Sequence, residues 1–225
     1  MNSQVVAFLV RAAREFRGAG WVFTGFHWPV LVSEVTVRLD GAGPSFRQLF
    51  EAGFAAEGPA EVLPTSTADF AAFGSAIQWR GSIGDVLGNL VRRAGLVVLD
   101  AANVDLTGCL NSTVIGGYRA PRVRLPGGGG APDAAAAARD LLLLHGGGDP
   151  ARLVDRVGQV TAALAPRAGV RLLTRLLTRR GTVLLGGSPR RAPYRKNHRW
   201  MRRGRWPSGY CARRQSGDTS WPGRP

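Results

Sequence analysis

Gly95-Leu-Val-Val-Leu-Asp100 is a short run that is apolar on both faces, opened by a glycine and closed by an acid. A strand with one solvated face alternates apolar and polar residues, whereas a strand covered by helices on both faces does not. The run therefore predicts a buried parallel strand, and parallel strands need crossover connections, usually helical. Toward the N-terminus, residues 82–93 read as a helix and residues 53–68 as a Gly/Pro-containing loop. Ser45-Phe-Arg-Gln-Leu-Phe-Glu51-Ala-Gly53 before them is a strand that exits on an acid and a glycine turn. Earlier still, Pro29 suits a helix start, with Val30, Leu31, Val35 and Leu39 along one face. Trp21-Val-Phe-Thr is a short buried strand ending at Gly25. Val5, Val6, Leu9, Val10, Ala13 and Phe16 mark a first helix over residues 3–17, stopped by Gly18-Ala-Gly20.

Toward the C-terminus, Val114-Ile115 and Val123–Leu125 are short extended candidates, and Asp133–Arg139 is alanine-rich and helical. Asp140-Leu-Leu-Leu-Leu-His145 fits a strand or a helix end. Val154–Val160, Arg171–Leu173 and Thr182–Leu185 are further strands. Strands alternating with helices predict an α/β fold, a mostly parallel sheet flanked by helices. That domain spans residues 1–187. Residues 188–225 are rich in Arg, Pro, Gly and Trp without periodicity, so they read as a disordered tail that buries too little apolar surface to order itself. An out-of-frame reading of a GC-rich gene would also produce such an ending, in a chain that uses 29 arginines and one lysine.

The net charge of +15 suggests a nucleic-acid ligand until it is located. Residues 1–165 carry 14 arginines against 14 acids, while residues 166–225 carry 16 basic residues against Asp218 alone. The folded part is thus neutral, and nucleic acid is not expected as a partner beyond nonspecific contact with the tail. Two distant cysteines, Cys109 and Cys211, imply neither a disulfide framework nor a zinc set, so no metal is expected. The N-terminus lacks the basic segment of a signal peptide, and no run approaches the roughly 18 apolar residues of a membrane span. A soluble cytoplasmic protein with no membrane partner is the expectation.

Two features bear on chemistry. Glu51 stands at the exit of a buried strand, just before the turn glycine Gly53. Gly127-Gly128-Gly129-Gly130 lies further on, and Asp133 after it suits the N-cap of the alanine-rich helix. Glycines let backbone N–H groups approach a ligand closely, as stabilisation of an oxyanion requires. His27 and His145 read as structural or exposed side chains. Arg119, Arg122 and Arg124 suit phosphate contacts or a solvated face.

Gly25-Phe-His-Trp-Pro29, Phe50-Glu51-Ala-Gly53, Ala101-Ala-Asn103-Val-Asp105, Gly108-Cys-Leu-Asn111-Ser-Thr-Val-Ile-Gly116 and Arg124-Leu-Pro-Gly-Gly-Gly-Gly-Ala-Pro-Asp133 occur in that order. The series resembles the β subunit of the two-subunit CoA-transferases of the glutaconate and 3-oxoacid type, over residues 5–187. The resemblance implies that Glu51 attacks an acyl-CoA thioester and passes through an acyl anhydride to a glutamyl-CoA thioester. It implies a partner α subunit, as a heterodimer or α2β2, with coenzyme A a substrate and no permanently bound cofactor. It places Gly127–Gly130 and Asn103 beside the acyl-CoA. The chain departs from the family where Asp100 replaces the usual glycine, Asn103 a glutamine and Cys109 an asparagine. Two other readings stand beside this one: a CoA-ester hydrolase subunit of the steroid-ring-opening type, whose β subunits lack the glutamate, and a noncatalytic or decayed chain whose basic tail binds nucleic acid.

Overall fold

The computed structural model describes residues 2–41, 43, 45–147, 149, 152–164 and 173–185. The expected tail, residues 188–225, lies outside them, as does most of the strand expected at Arg171–Leu173. Thirteen strands and five α-helices are described. Helix α1 (Ser3–Phe16) leads to β1 (Gly20–Thr24), α2 (Trp28–Asp40) and β2 (Phe46–Phe50). Then come β3 (Phe54–Ala56), α3 (Phe70–Phe73), β4 (Ile77–Arg80), α4 (Ile83–Gly88) and β5 (Leu96–Leu99). Short strands β6 (Asn103–Asp105), β7 (Leu110–Asn111), β8 (Val114–Gly116) and β9 (Pro121–Arg124) precede α5 (Ala131–Ala137) and β10 (Asp140–His145). The described part closes with β11 (Leu153–Val154), β12 (Leu173–Thr178) and β13 (Gly181–Leu185).

The main sheet has eight strands in the order β13-β12-β10-β5-β1-β2-β3-β4. Its five central strands, β12, β10, β5, β1 and β2, run parallel. Antiparallel β13 closes one edge, and antiparallel β3 and β4 close the other. The fold is therefore a mostly parallel α/β sheet flanked by helices, and the Leu96–Leu99 run is its buried strand at every position. Successive residues of that strand face opposite layers. Leu96 and Val98 pack with Phe8, Phe16, Val32 and Val37 of α1 and α2. Val97 and Leu99 pack with Val86, Val91, Ala134 and Ala135 on the α4–α5 side. Burying each such side chain on both faces contributes about 1.5–3 kcal/mol.

Several expectations change at element boundaries. The expected loop at 53–68 contains β3, which follows β2 through a tight antiparallel reversal. The expected helix over 82–93 breaks at Asn89 (φ −125°) into α4 and a separate 3-10 turn, after Gly88 has weakened the helix. Asp140–His145 is a strand, paired to β5 and β12. Of the strand expected at 154–160, only Val154 pairs, as the end of the two-residue β11 against β6.

Buried polar groups tie α2 to the edge of the sheet. Glu34 is 1% exposed and accepts from Gln48 Nε2 at 3.0 Å, from the Ala60 N–H at 2.9 Å and from Arg38. Ser33 donates to Gln48 Oε1 at 2.6 Å. Such a carboxylate is stable inside only because each oxygen has donors. Glu34→Ala should therefore lower stability by about 2–3 kcal/mol, roughly 5–10 °C in Tm, measured by thermal denaturation. A second test concerns His145, which is buried at the end of β10, its Nε2–H donating to the Asp149 carbonyl at 2.7 Å. Burial pushes its pKa below the ordinary 6.5, against the weaker opposing pull of Asp100 and Asp149, while Arg152 adds to the depression. The neutral form is thus the one the fold accommodates. Its stabilisation is present above pH 6.5 and is lost as pH falls below that value. Asp40, Asp69 and Asp85 are also depressed, but they act only below 3.8. A Tm that declines between pH 6.5 and 5 should flatten in His145→Gln.

Candidate active site

Glu51 follows directly on β2. Phe50 before it is fully buried and stacks on Phe54 at 4.6 Å, which fixes the direction in which the strand ends. The reversal to β3 needs Gly53, whose φ is +101° and where a Cβ would lie 2.5 Å from the Gly81 carbonyl oxygen. The Gly53 N–H donates to Phe50 O at 3.1 Å, and Gly53 O accepts from the Gly81 N–H at 2.8 Å. Glu51 is held half-buried at the tip of this clamp.

The glycine run approaches from the other side. It is pinned to the turn after β7 by the Leu125 N–H on Thr113 O (3.0 Å) and the Gly127 N–H on Ser112 O (2.8 Å). Asn111 organises that turn: its Oδ1 accepts from the Thr113 and Val114 N–H groups at 3.0 and 3.2 Å, and its Nδ2 donates to Val114 O at 2.7 Å. Thr161 adds a bridge, accepting from the Ser112 N–H at 2.9 Å, and at Gly128 a Cβ would meet its methyl at 2.8 Å. Gly127 and Gly129 take positive φ of 99° and 51°, a path that L side chains disfavour.

The two features meet. The Gly130 N–H donates to Glu51 Oε2 at 2.9 Å, a charge-assisted bond across 79 residues of chain. A Cβ at Gly130 would stand 2.5 Å from the same oxygen and 3.0 Å from Leu87 of α4. At Gly129 it would stand 3.4 Å from Glu51 Oε1. Only glycine backbone fits against this carboxylate, with an apolar leucine beside it.

Other expected residues fall nearby or elsewhere. The N-cap of α5 is Gly130, not Asp133, which is exposed in the first turn. Pro132 sets the helical φ early, so the helix begins before Asp133 can cap it, and Glu51 supplies the carboxylate at that end. Asn103 lies on β6 opposite Asn111 and accepts from its Nδ2 at 3.4 Å; among the described contacts it reaches the turn that carries the glycine loop rather than Glu51. Asp105, 2% exposed, accepts from the Thr107 hydroxyl and the N–H groups of Thr107, Cys109 and Val157, which fastens the β6–β7 turn. Among the described residues no cluster of His, Cys, Asp and Glu is placed to hold a metal ion, and no helix is long and apolar enough to cross a membrane.

His27, read from sequence as structural or exposed, occupies a more demanding position. It is the one non-glycine residue with positive φ among the described residues, at φ 73° and ψ −117°. Such a backbone costs a side-chain-bearing residue about 1–3 kcal/mol. Its Nδ1 lies 2.8 Å from Asp100 Oδ2, with Asp100 only 10% exposed and His27 62% exposed. A cavity of about 370 Å³ adjoins it, lined by Phe26, Trp28, Val30, Leu31, Leu63 and Pro64 among others. Nothing in the residue types announces this pairing. The one signal was Asp100, an acid standing in a position where the resembling family has glycine.

No family profile matches the chain, and no curated protein matches it in sequence. Solved structures do match. The decarboxylase AibA/AibB superposes with a TM-score of 0.67 at 24% identity, over 82% of this chain and 74% of that one. Glutaconate coenzyme A-transferase from Acidaminococcus fermentans gives a TM-score of 0.67 at 20% identity, over 81% and 74%. The acyl-CoA transferase YdiF of Escherichia coli O157:H7, solved as a thioester complex with CoA, gives 0.59 at 16% identity, over 81% of this chain and 34% of that one. Superposition on two CoA-transferases over about four-fifths of its length gives the chain the fold of the CoA-transferase family.

Proposed function

We propose that the chain is the β subunit of a heteromeric CoA-transferase and that Glu51 is its nucleophile. The observation that carries this reading is the bond from the Gly130 N–H to the Glu51 carboxylate. It places a half-buried anion against a glycine loop, in a fold shared with CoA-transferases. Glu51 attacks the carbonyl carbon of an acyl-CoA; the C–S bond breaks, CoA leaves as thiolate, and an acyl-glutamyl anhydride remains. The thiolate then attacks the glutamyl carbonyl and releases the first acid. A second carboxylate attacks the glutamyl-CoA thioester, and the same steps in reverse deliver the new acyl-CoA. Each attack raises negative charge on a carbonyl oxygen. Gly127 donates to Ser112 and Gly130 to Glu51, so the N–H groups of Gly128 and Gly129 are the loop's donors for that charge. Leu87 and the close glycine backbone keep water away from the anhydride.

A partner α subunit would complete the site, as a heterodimer or α2β2, since Glu51 is only half-buried within this chain. Coenzyme A is a substrate, with no permanent cofactor, and the reaction is placed in the cytoplasm. Gly53 has the supporting part expected of it, setting the turn, and Asn103, expected beside the acyl-CoA, steadies the loop through Asn111.

The reading is tested by incubating the co-expressed complex with acyl-CoA and then hydroxylamine. Inactivation should require acyl-CoA, and mass spectrometry should map the adduct to Glu51. Glu51→Ala should reduce CoA exchange to the uncatalysed level; full exchange in that variant overturns the assignment. Gly130→Ala isolates the loop, because φ −80° at that position suits alanine and the new Cβ meets only the ends of two side chains, Glu51 Oε2 at 2.5 Å and Leu87 at 3.0 Å. Exchange should fall by roughly 100- to 1000-fold with Tm within a few degrees of the parent.

A further inference from the structure

The connections that leave β1 and β5 diverge. From β1 the chain passes through α2 to β2, on the layer that α1 also occupies. From β5 it returns through α5 to β10, on the opposite layer. Adjacent strands whose exits part in this way leave a crevice at their carboxyl ends, the place where open α/β sheets bind ligands. His27 and Asp100 are the first polar side chains out of that crevice, one from each strand. The two exits press together there: the Gly25 N–H donates to Val98 O at 2.9 Å, and a Cβ at Gly25 would lie at the same distance from that oxygen.

Three observations make the pair more than a surface contact. The His27 backbone is held in a glycine-like conformation, braced by Trp28, whose ring covers Gly146 and meets Phe8 edge-on at 5.3 Å. Strain persists only where the surroundings over-determine it, and it concentrates at functional sites. Asp100 is nearly buried and holds its own geometry, Oδ1 accepting from the Ala101 N–H at 2.7 Å while Oδ2 faces His27 Nδ1. An ionised carboxylate only accepts, so in the tautomer that pairs with it Nδ1 carries the proton and Nε2 presents its lone pair. The depression beside it, about 370 Å³ and open to solvent, is walled by Phe26, Trp28, Val30, Leu31 and Leu63, an apolar surface for a small acyl group. No side chain caps the start of α2, and Trp28, Val30 and Leu31 of its first turn line the same cavity.

We propose that His27, oriented by Asp100, is a general base that hydrolyses small apolar acyl thioesters lodged in this cavity, an activity that does not pass through Glu51. His27 Nε2 takes a proton from water as the water oxygen bonds to the acyl carbonyl carbon. The C–S bond then breaks, and the leaving thiolate takes the proton back from the imidazolium. The products are a free carboxylic acid and CoA thiol, with no other reactant consumed. Asp100 is a positioning residue that acts through His27. The acyl-CoA class rests on the proposed function, whereas the base does not.

The test uses the full chain, alone and in its complex, with butyryl-CoA followed by thiol release and with p-nitrophenyl butyrate followed by nitrophenolate. The wild-type protein should hydrolyse both. His27→Gly should lower the rate at least about 100-fold while its Tm holds or rises, because glycine adopts φ 73° without strain. That combination separates loss of a base from loss of structure. Asp100→Asn should lower kcat and leave KM unchanged, since it disturbs the tautomer and not the cavity. Wild-type rates in His27→Gly, or no turnover of either substrate by the parent, overturn the proposal. Turnover of the nitrophenyl ester alone supports the base and overturns the CoA thioester as its substrate. CoA exchange, measured separately, reports on Glu51, so failure of the transfer reading and failure of this one give different results.

Discussion

Parallel strands deliver their chain at one edge of the sheet, and the remaining organisation follows from that constraint. Strands β2, β1, β5 and β10 exit side by side through Phe50, Thr24, Leu99 and His145. Apolar residues fill their interior because helices cover both faces, so polar chemistry is pushed to the exits. Glu51, His27 and Asp100 all stand there. Neither carboxylate sits in the core itself, where an ion without donors would cost far more than packing returns.

Glycine decides how near the backbone comes to those exits. Gly53 turns the chain back under the Gly81 carbonyl, and Gly130 lies flat against the Glu51 oxygen. The contacts have different causes. At Gly53 both the positive φ and the closeness exclude a side chain, whereas at Gly130 the backbone is ordinary and closeness alone does. Fold and site are thus separable at Gly130 and inseparable at Gly53.

The legible part of the fold was the part with long apolar runs. Leu96–Leu99, the strand leading to Glu51, the first helix and the Pro29 helix all stand where their patterns place them, within a few residues. The strands that escaped reading, β3, β4, β6 and β7, have two to four residues each and are made by pairing rather than by pattern. In the candidate site, the approach of the glycine run to Glu51 agrees with the order of the motifs. The capping role expected of Asp133 went to a residue 79 positions from Gly130, a long-range partner that no local rule contains. His27 was unreadable for the same reason: its meaning comes from a backbone angle and from an acid on another strand.

The bond from Gly130 to Glu51 also links local dynamics to chemical state. Glu51 accepts from the backbone N–H of the N-cap residue of α5, a helix of seven residues with little stability of its own. Whenever that carboxylate is neutralised, by a proton or by a covalent bond, the Gly130 amide loses its anionic acceptor and the helix start opens more often. Amide hydrogen exchange at one glycine would then act as a clock on the occupancy of the glutamate, readable without following substrate at all.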